Sequence, residues 1–102
     1  MIVSMFDWWF FRASKMLQRY EVKGHSMEPA FHNGDKLLLS SLFFNLREGD
    51  VVVFSCGSRD YLKRIKAVVG KNKFAVAGDN SSHSRSWNIT RNQIKGKLLI
   101  KY

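Results

Sequence analysis

Acid is scarce in this chain: 8 aspartates and glutamates stand against 17 lysines and arginines, a net charge of +9. Such a surplus favours an anionic neighbour, or simply a solvated basic surface. The cations are spread along the chain with no arginine-rich tail, zinc finger or RNA-binding aromatic signature, so no nucleic-acid partner is expected. Cys56 is the only cysteine, which excludes an intrachain disulfide and suits a reducing compartment. No apolar run approaches the roughly 20 residues of a bilayer-spanning helix. Metal-ligand spacing is absent as well: His25, His32, His83 and Cys56 form no Cys-x-x-Cys or His-x-x-x-His pattern. With no glycine-rich phosphate loop either, no cofactor is expected.

The chain has 102 residues, enough for one domain, and 45% of them are apolar, as in an ordinary folded protein. Residues 1–23 read as an amphipathic helix. Phe6, Trp9, Phe10, Ala13, Met16 and Leu17 fall on one face at 3.6 residues per turn. Asp7, Ser14, Lys15, Gln18 and Arg19 fall on the other. Such a helix docks on the domain's own core or lies on an anionic membrane surface. Lacking a basic leader and a small-residue cleavage site, it does not read as a secretory signal.

Beyond Tyr20 the texture changes to short apolar runs between turn signals. Lys36 to Ser40, Asp50 to Phe54, Tyr61 to Val69, Lys73 to Ala77 and Lys97 to Tyr102 are expected as strands. The expected fold is therefore mainly β, with a helix over 1–23 and a β domain over 24–102.

Three segments carry candidate chemistry. Gly24-His25-Ser26-Met27-Glu28-Pro29 is a turn with a serine at its centre. Gly24 permits a tight bend, Pro29 stiffens the exit, and backbone N–H groups in such a turn can face an oxyanion. By itself such a segment is usually an ordinary turn. In Asp60-Tyr61-Leu62-Lys63-Arg64-Ile65 a lysine sits within an apolar run. An ordinary lysine, with a pKa of about 10.4, is neutral in only about one molecule per thousand near pH 7.4. Burial lowers that pKa and frees the lone pair; the plainer alternative is a lysine on the polar side of an edge strand. Gly78-Asp79-Asn80-Ser81-Ser82-His83-Ser84-Arg85 is a polar turn whose hydroxyls can orient an amine and whose Asp79 and Arg85 can pair. Its composition also suits a flexible loop.

In this order the three segments resemble the signal peptidase family of serine proteases. Gly24-x-Ser26-Met27-x-Pro29 with Gly34-Asp35 resembles the nucleophile box, Lys63-Arg64 the general-base box, and Gly78-Asp79-Asn80 with Ser84-Arg85 the final box. The resemblance implies a small β fold like that of signal peptidases and SOS-repressor proteases. It implies Ser26 as nucleophile, Lys63 as base, the Ser26 N–H as oxyanion donor and Ser81 as the hydroxyl orienting the lysine. Gly24, Met27, Pro29, Asp79 and Arg85 would support the site. Two departures stand out. His83 replaces the family's aspartate before the final Ser-Arg pair, and Val69-Gly70-Lys71 stands where Pro-Gly-Asp is usual. His83 as an alternative base has no acid placed to orient it.

Among family members, the chain looks most like the small proteases that mature nickel superoxide dismutase by removing an N-terminal leader. The expected substrate is then an extended N-terminal peptide of a precursor protein. The expected location is the cytoplasm, or the inner face of the plasma membrane if the N-terminal helix is an anchor. Other readings are a membrane-associated signal peptidase, a self-cleaving regulator domain and a non-catalytic basic module.

Overall fold

Strand alternation organises the molecule. The computed structural model describes residues 2–5, 17–42, 45–80 and 85–102. Its strands are β1 (Ile2–Met5), β2 (Leu17–Lys23), β3 (Lys36–Ser40), β4 (Val51–Cys56), β5 (Arg59–Gly70), β6 (Lys73–Ala77), β7 (Trp87–Thr90) and β8 (Ile94–Lys101). A single 3-10 turn, Arg91–Gln93, joins the last two. In β2, Tyr20 and Val22 turn inward while Lys23 is exposed. In β3, Leu37 and Leu39 turn inward while Lys36 is exposed. Successive side chains of a strand face opposite ways, so each such pair lines one wall.

Every pairing among these strands is antiparallel, in the order β1-β2-β3-β8-β4-β5-β6-β7. A further contact, Ile2 opposite Tyr61, joins β1 to β5. That contact closes six strands, β1-β2-β3-β8-β4-β5, into a ring. From Arg64 onward β5 instead pairs with β6, which carries β7. The long strand β5 therefore belongs to the ring at its start and to an outlying three-stranded layer at its end.

Two cores follow from this arrangement. Tyr20, Val22, Met27, Phe31, Leu37, Leu39, Val51, Val53 and Leu62 fill the ring. Leu46, Val52, Phe54, Ile65, Phe74, Val76, Ile89 and Ile94 form the second core, edged by Cys56, Tyr61 and Trp87. The unbroken run Val51-Val52-Val53-Phe54 is buried on both faces because β4 divides the two cores. Phe54 stacks on Tyr61 at 5.8 Å between centroids and meets Trp87 edge-on at 5.7 Å.

The sequence expectation needs one correction. The helix over residues 1–23 is replaced by strands at both described ends, Ile2–Met5 and Leu17–Lys23. Tyr20 and Val22 show why: two residues apart, they enter the same core, which only an extended chain allows. Phe6, Trp9, Phe10, Ala13 and Met16 lie outside the described residues. The strands Lys36–Ser40 and Lys73–Ala77 fall where expected, whereas β5 and β8 begin earlier than expected. Strand β7 was not anticipated.

Phe54→Ala tests the second core. Emptying this fully buried site lowers unfolding free energy by about 3 to 5 kcal/mol. Urea denaturation measures the loss; a change under about 1 kcal/mol would contradict the packing described.

Candidate active site

The serine loop is held at both ends before it reaches Ser26. Gly24 has φ +96°, a left-handed conformation suited to glycine, and its N–H donates to Asn33 Oδ1 at 2.9 Å. At the far side, Gly34 N–H donates to the Val22 carbonyl and Val22 N–H to the Asp35 carbonyl, each at 2.8 Å. Within the loop, Glu28 N–H reaches the His25 carbonyl at 3.2 Å and Phe31 N–H the Met27 carbonyl at 2.9 Å. Met27 is fully buried in the ring core beside Phe31, anchoring the turn. Pro29 is exposed on its outer side. Ser26 is 2% exposed, so its hydroxyl faces the protein and not open water.

Lys63 arrives from β5, opposite Val52 of β4. Strand alternation puts it on the same face as Tyr61 and Ile65, toward the second core. It is 3% exposed, and its Nζ lies 3.0 Å from Ser26 Oγ. Two polar groups 37 residues apart in sequence thus satisfy each other inside the protein. Burial pushes the Lys63 pKa below the ordinary lysine value, and the positive charge of Arg85 acts in the same direction.

The segment after β6 locks this arrangement. Asn80 N–H donates to the Ser26 carbonyl at 2.8 Å, and Asn80 Nδ2 donates to the His25 carbonyl at 3.0 Å. Just before it, Asp79 receives Arg64 Nε at 2.9 Å and Arg64 Nη2 at 2.8 Å, a two-pronged pair. Lys66 adds a contact at 3.4 Å, and Arg64 Nη1 holds the Gly49 carbonyl at 2.8 Å. The Arg64 guanidinium keeps the Asp79 carboxyl below its usual pKa.

These contacts revise one expected pair. By sequence Asp79 and Arg85 can pair, but the Asp79 carboxylate is taken by Arg64 and Lys66. The reason is register: Arg64 is paired across the ladder with Ala77, two residues before Asp79. Arg85 instead stacks over the Trp87 ring at 4.3 Å. Ser81 and His83 lie outside the described residues. Arg64, Asn80 and Asn33 were not singled out for these contacts, although Arg64 directly follows Lys63. Among the described residues, no three His, Cys, Asp or Glu side chains gather into a metal site.

The family model for "Signal peptidase, peptidase S26" matches residues 1–72, taking in both Ser26 and Lys63. The chain belongs to the signal peptidase family. It is also similar to the signal peptidase complex catalytic subunit SEC11C of human, mouse and dog, with 41% identity over 63 residues in each case. Each match covers 55% of this chain and 33% of the relative, so the chain aligns with about a third of the length of these curated relatives. This likeness corrects the expectation of a cytoplasmic enzyme. The relatives are subunits of a signal peptidase complex, and signal peptides mark chains for secretion.

The Asp79 pair has a signature in acid. Its carboxyl has a lower pKa folded than the 3.8 of an ordinary aspartate, so the stabilisation is complete above about pH 4. It is lost as pH falls through the depressed value. Asp79→Asn removes that slope, and denaturation midpoints of both proteins between pH 6 and 2 should converge at the acid end. Parallel curves would show that the pair contributes nothing through titration.

Proposed function

We propose that this protein is a serine endopeptidase in which Ser26 is the nucleophile and Lys63 the general base, acting on precursor proteins to remove an N-terminal leader. Membership of the signal peptidase family supports a peptidase of this type. The observation carrying the assignment of roles is the 3.0 Å approach of two buried groups, Ser26 Oγ and Lys63 Nζ. Among the described residues, Lys63 makes no ion pair with a carboxylate that would hold its proton.

In the reaction, neutral Lys63 accepts the Ser26 hydroxyl proton as Oγ bonds to the scissile carbonyl carbon. The carbonyl oxygen becomes an oxyanion facing the Ser26 N–H. The lysine proton then passes to the departing amine as the C–N bond breaks, leaving an acyl-enzyme. Water attacks the ester, again deprotonated by Lys63, and Ser26 recovers its proton from Lys63 as the new carboxylic acid leaves and ionises in the solvent.

The relatives' description as signal peptidase complex subunits favours a secretory precursor as substrate. The narrower reading, a nickel superoxide dismutase precursor, rests on the resemblance of the sequence motifs and forms the second arm of the test. Each precursor is incubated with wild type, Ser26→Ala and Lys63→Met, and intact mass is read. Wild type should shorten one of them, and both variants should be slower by at least about 10⁴-fold. Equal cleavage by all three would overturn the dyad. Failure of every precursor with wild type, alongside a preserved affinity for anionic surfaces, would favour a non-catalytic basic module.

The depressed lysine pKa makes two further predictions. The rate should rise with pH along a limb centred below 10.5, the ordinary lysine value. Between the lowered value and 10.5 the unfolded chain holds a proton on Lys63 that the folded chain has given up, so wild-type stability increases with pH across that window. Lys63→Met lacks that slope and should be the more stable protein at neutral pH, by thermal denaturation. A less stable Met variant would refute the cost of burying the amine.

A further inference from the structure

The peptide units on either side of Ser26 are both held by one residue. The His25–Ser26 and Ser26–Met27 bonds are trans, since the single cis bond of the described residues is Glu28–Pro29. In a trans unit the C=O and N–H point in opposite directions. The His25 carbonyl receives Asn80 Nδ2 at 3.0 Å, so the Ser26 N–H is turned away from the Asn80 side chain. The Ser26 carbonyl receives Asn80 N–H at 2.8 Å, so the Met27 N–H is turned away from the Asn80 backbone. Among the described residues, neither the Ser26 N–H nor the Met27 N–H has a hydrogen-bond partner. Buried N–H groups are seldom left without one, and such exceptions are places where function is expected. Ser26 and Met27 are 2% and 0% exposed.

We propose that Asn80 is a positioning residue for the oxyanion site, its two donors turning the Ser26 and Met27 amide groups together toward the reacting carbonyl oxygen. The inference rests on the peptidase reading and adds a second donor to it. Gly24 carries no side-chain donor, so a second donor beside the Ser26 N–H comes from the backbone. Asn80 acts only through these peptide units and does not touch the substrate. Its side-chain bond fixes the first unit and its backbone bond the second. The pair of contacts also ties the oxyanion site to the segment that begins with Asp79, whose carboxylate is clamped by Arg64 next to Lys63. Base, nucleophile and oxyanion donors are thereby referenced to one short stretch of chain.

The test uses Asn80→Ala and Asn80→Asp in the full chain, with a fluorogenic peptide spanning an Ala-x-Ala signal-peptide cleavage site. Both variants lose the donor to His25, and the aspartate keeps the size of the side chain. Expected is a fall in kcat of about 10- to 100-fold with KM within about twofold, below the loss typical of deleting a donor outright. Inhibition by the matching peptide aldehyde gives the discriminating readout. Its carbonyl carbon bonds Ser26 Oγ and its oxygen takes the oxyanion position, so its affinity should weaken by the same factor as kcat/KM. The pH midpoint of the Lys63 limb should stay where it is in wild type.

A fall in affinity for an uncleavable substrate analogue equal to the fall in kcat/KM would overturn the proposal, showing general damage to the groove. So would unchanged aldehyde affinity, or a variant as active as wild type. Thermal midpoints of the two variants identify any loss from unfolding, and the aldehyde-to-analogue affinity ratio remains readable on the folded fraction. A wild-type protein inert toward this peptide and toward both precursors would instead refute the parent peptidase reading.

Discussion

An amine kept out of water beside a hydroxyl is the constraint on which the molecule turns. A charged ammonium at the Lys63 position would lose most of its hydration, and among the described residues no carboxylate pairs with it, so burial pushes its pKa below the ordinary lysine value. The fold supplies the dry surroundings by placing Lys63 where the ring and the second core meet, between Tyr61 and Ile65 and opposite Val52. The nearby acid is handled separately. Asp79 pairs with Arg64, the residue that follows Lys63, and not with the lysine. Arg64, on the other face of β5, takes that carboxylate with two nitrogens and Lys66 adds a third contact, so the negative charge is compensated locally. The positive charge of Arg85 then reinforces the neutral amine.

Topology couples this site to the integrity of the whole domain. Ser26 sits on the connection between β2 and β3, Lys63 on β5, and Asn80 beyond β6, so no local segment holds more than one of them. β5 is the common element: it closes the ring through Tyr61, presents Lys63 next, and passes to β6 from Arg64 onward. The change of neighbour along one edge of β5 occurs within three residues, and the buried lysine lies in that gap. A strand fully paired on that edge would have no room for the serine loop to approach. The opening is thus a consequence of where β1 stops and β6 starts.

Much of this was legible in the residues, and the exceptions have physical causes. Turn signals at Asn33-Gly34-Asp35 and Gly78-Asp79-Asn80 bound strands that fall where expected, because glycine and short polar side chains punctuate β structure strongly. β7 has little sequence signature, since Trp87-Asn88-Ile89-Thr90 is four residues long and follows a polar stretch. The helix assignment over the first 23 residues failed at Tyr20 and Val22, where helical and strand periodicities overlap and tertiary pairing decides. In the site, ordered motifs were enough to single out Ser26 and Lys63. The partner of Asp79 was not readable, because two arginines offer the same charge and only ladder register brings Arg64 within reach. The Asn80 bonds were equally hidden, since a backbone carbonyl leaves no mark in the sequence.

As the proposed base, a lysine needs fewer supporting parts than a histidine would. An imidazole has two nitrogens, so a histidine base needs a third group to fix its tautomer and tilt. A neutral amine has one lone pair on a flexible stem and needs only to be desolvated and held. Here Lys63, 3% exposed and on the strand face of Tyr61 and Ile65, has both its stem and its tip in the same dry surroundings. Orientation and pKa therefore cannot be tuned independently at this site. A change that loosens the packing hydrates Nζ, and hydration raises the pKa that burial had lowered.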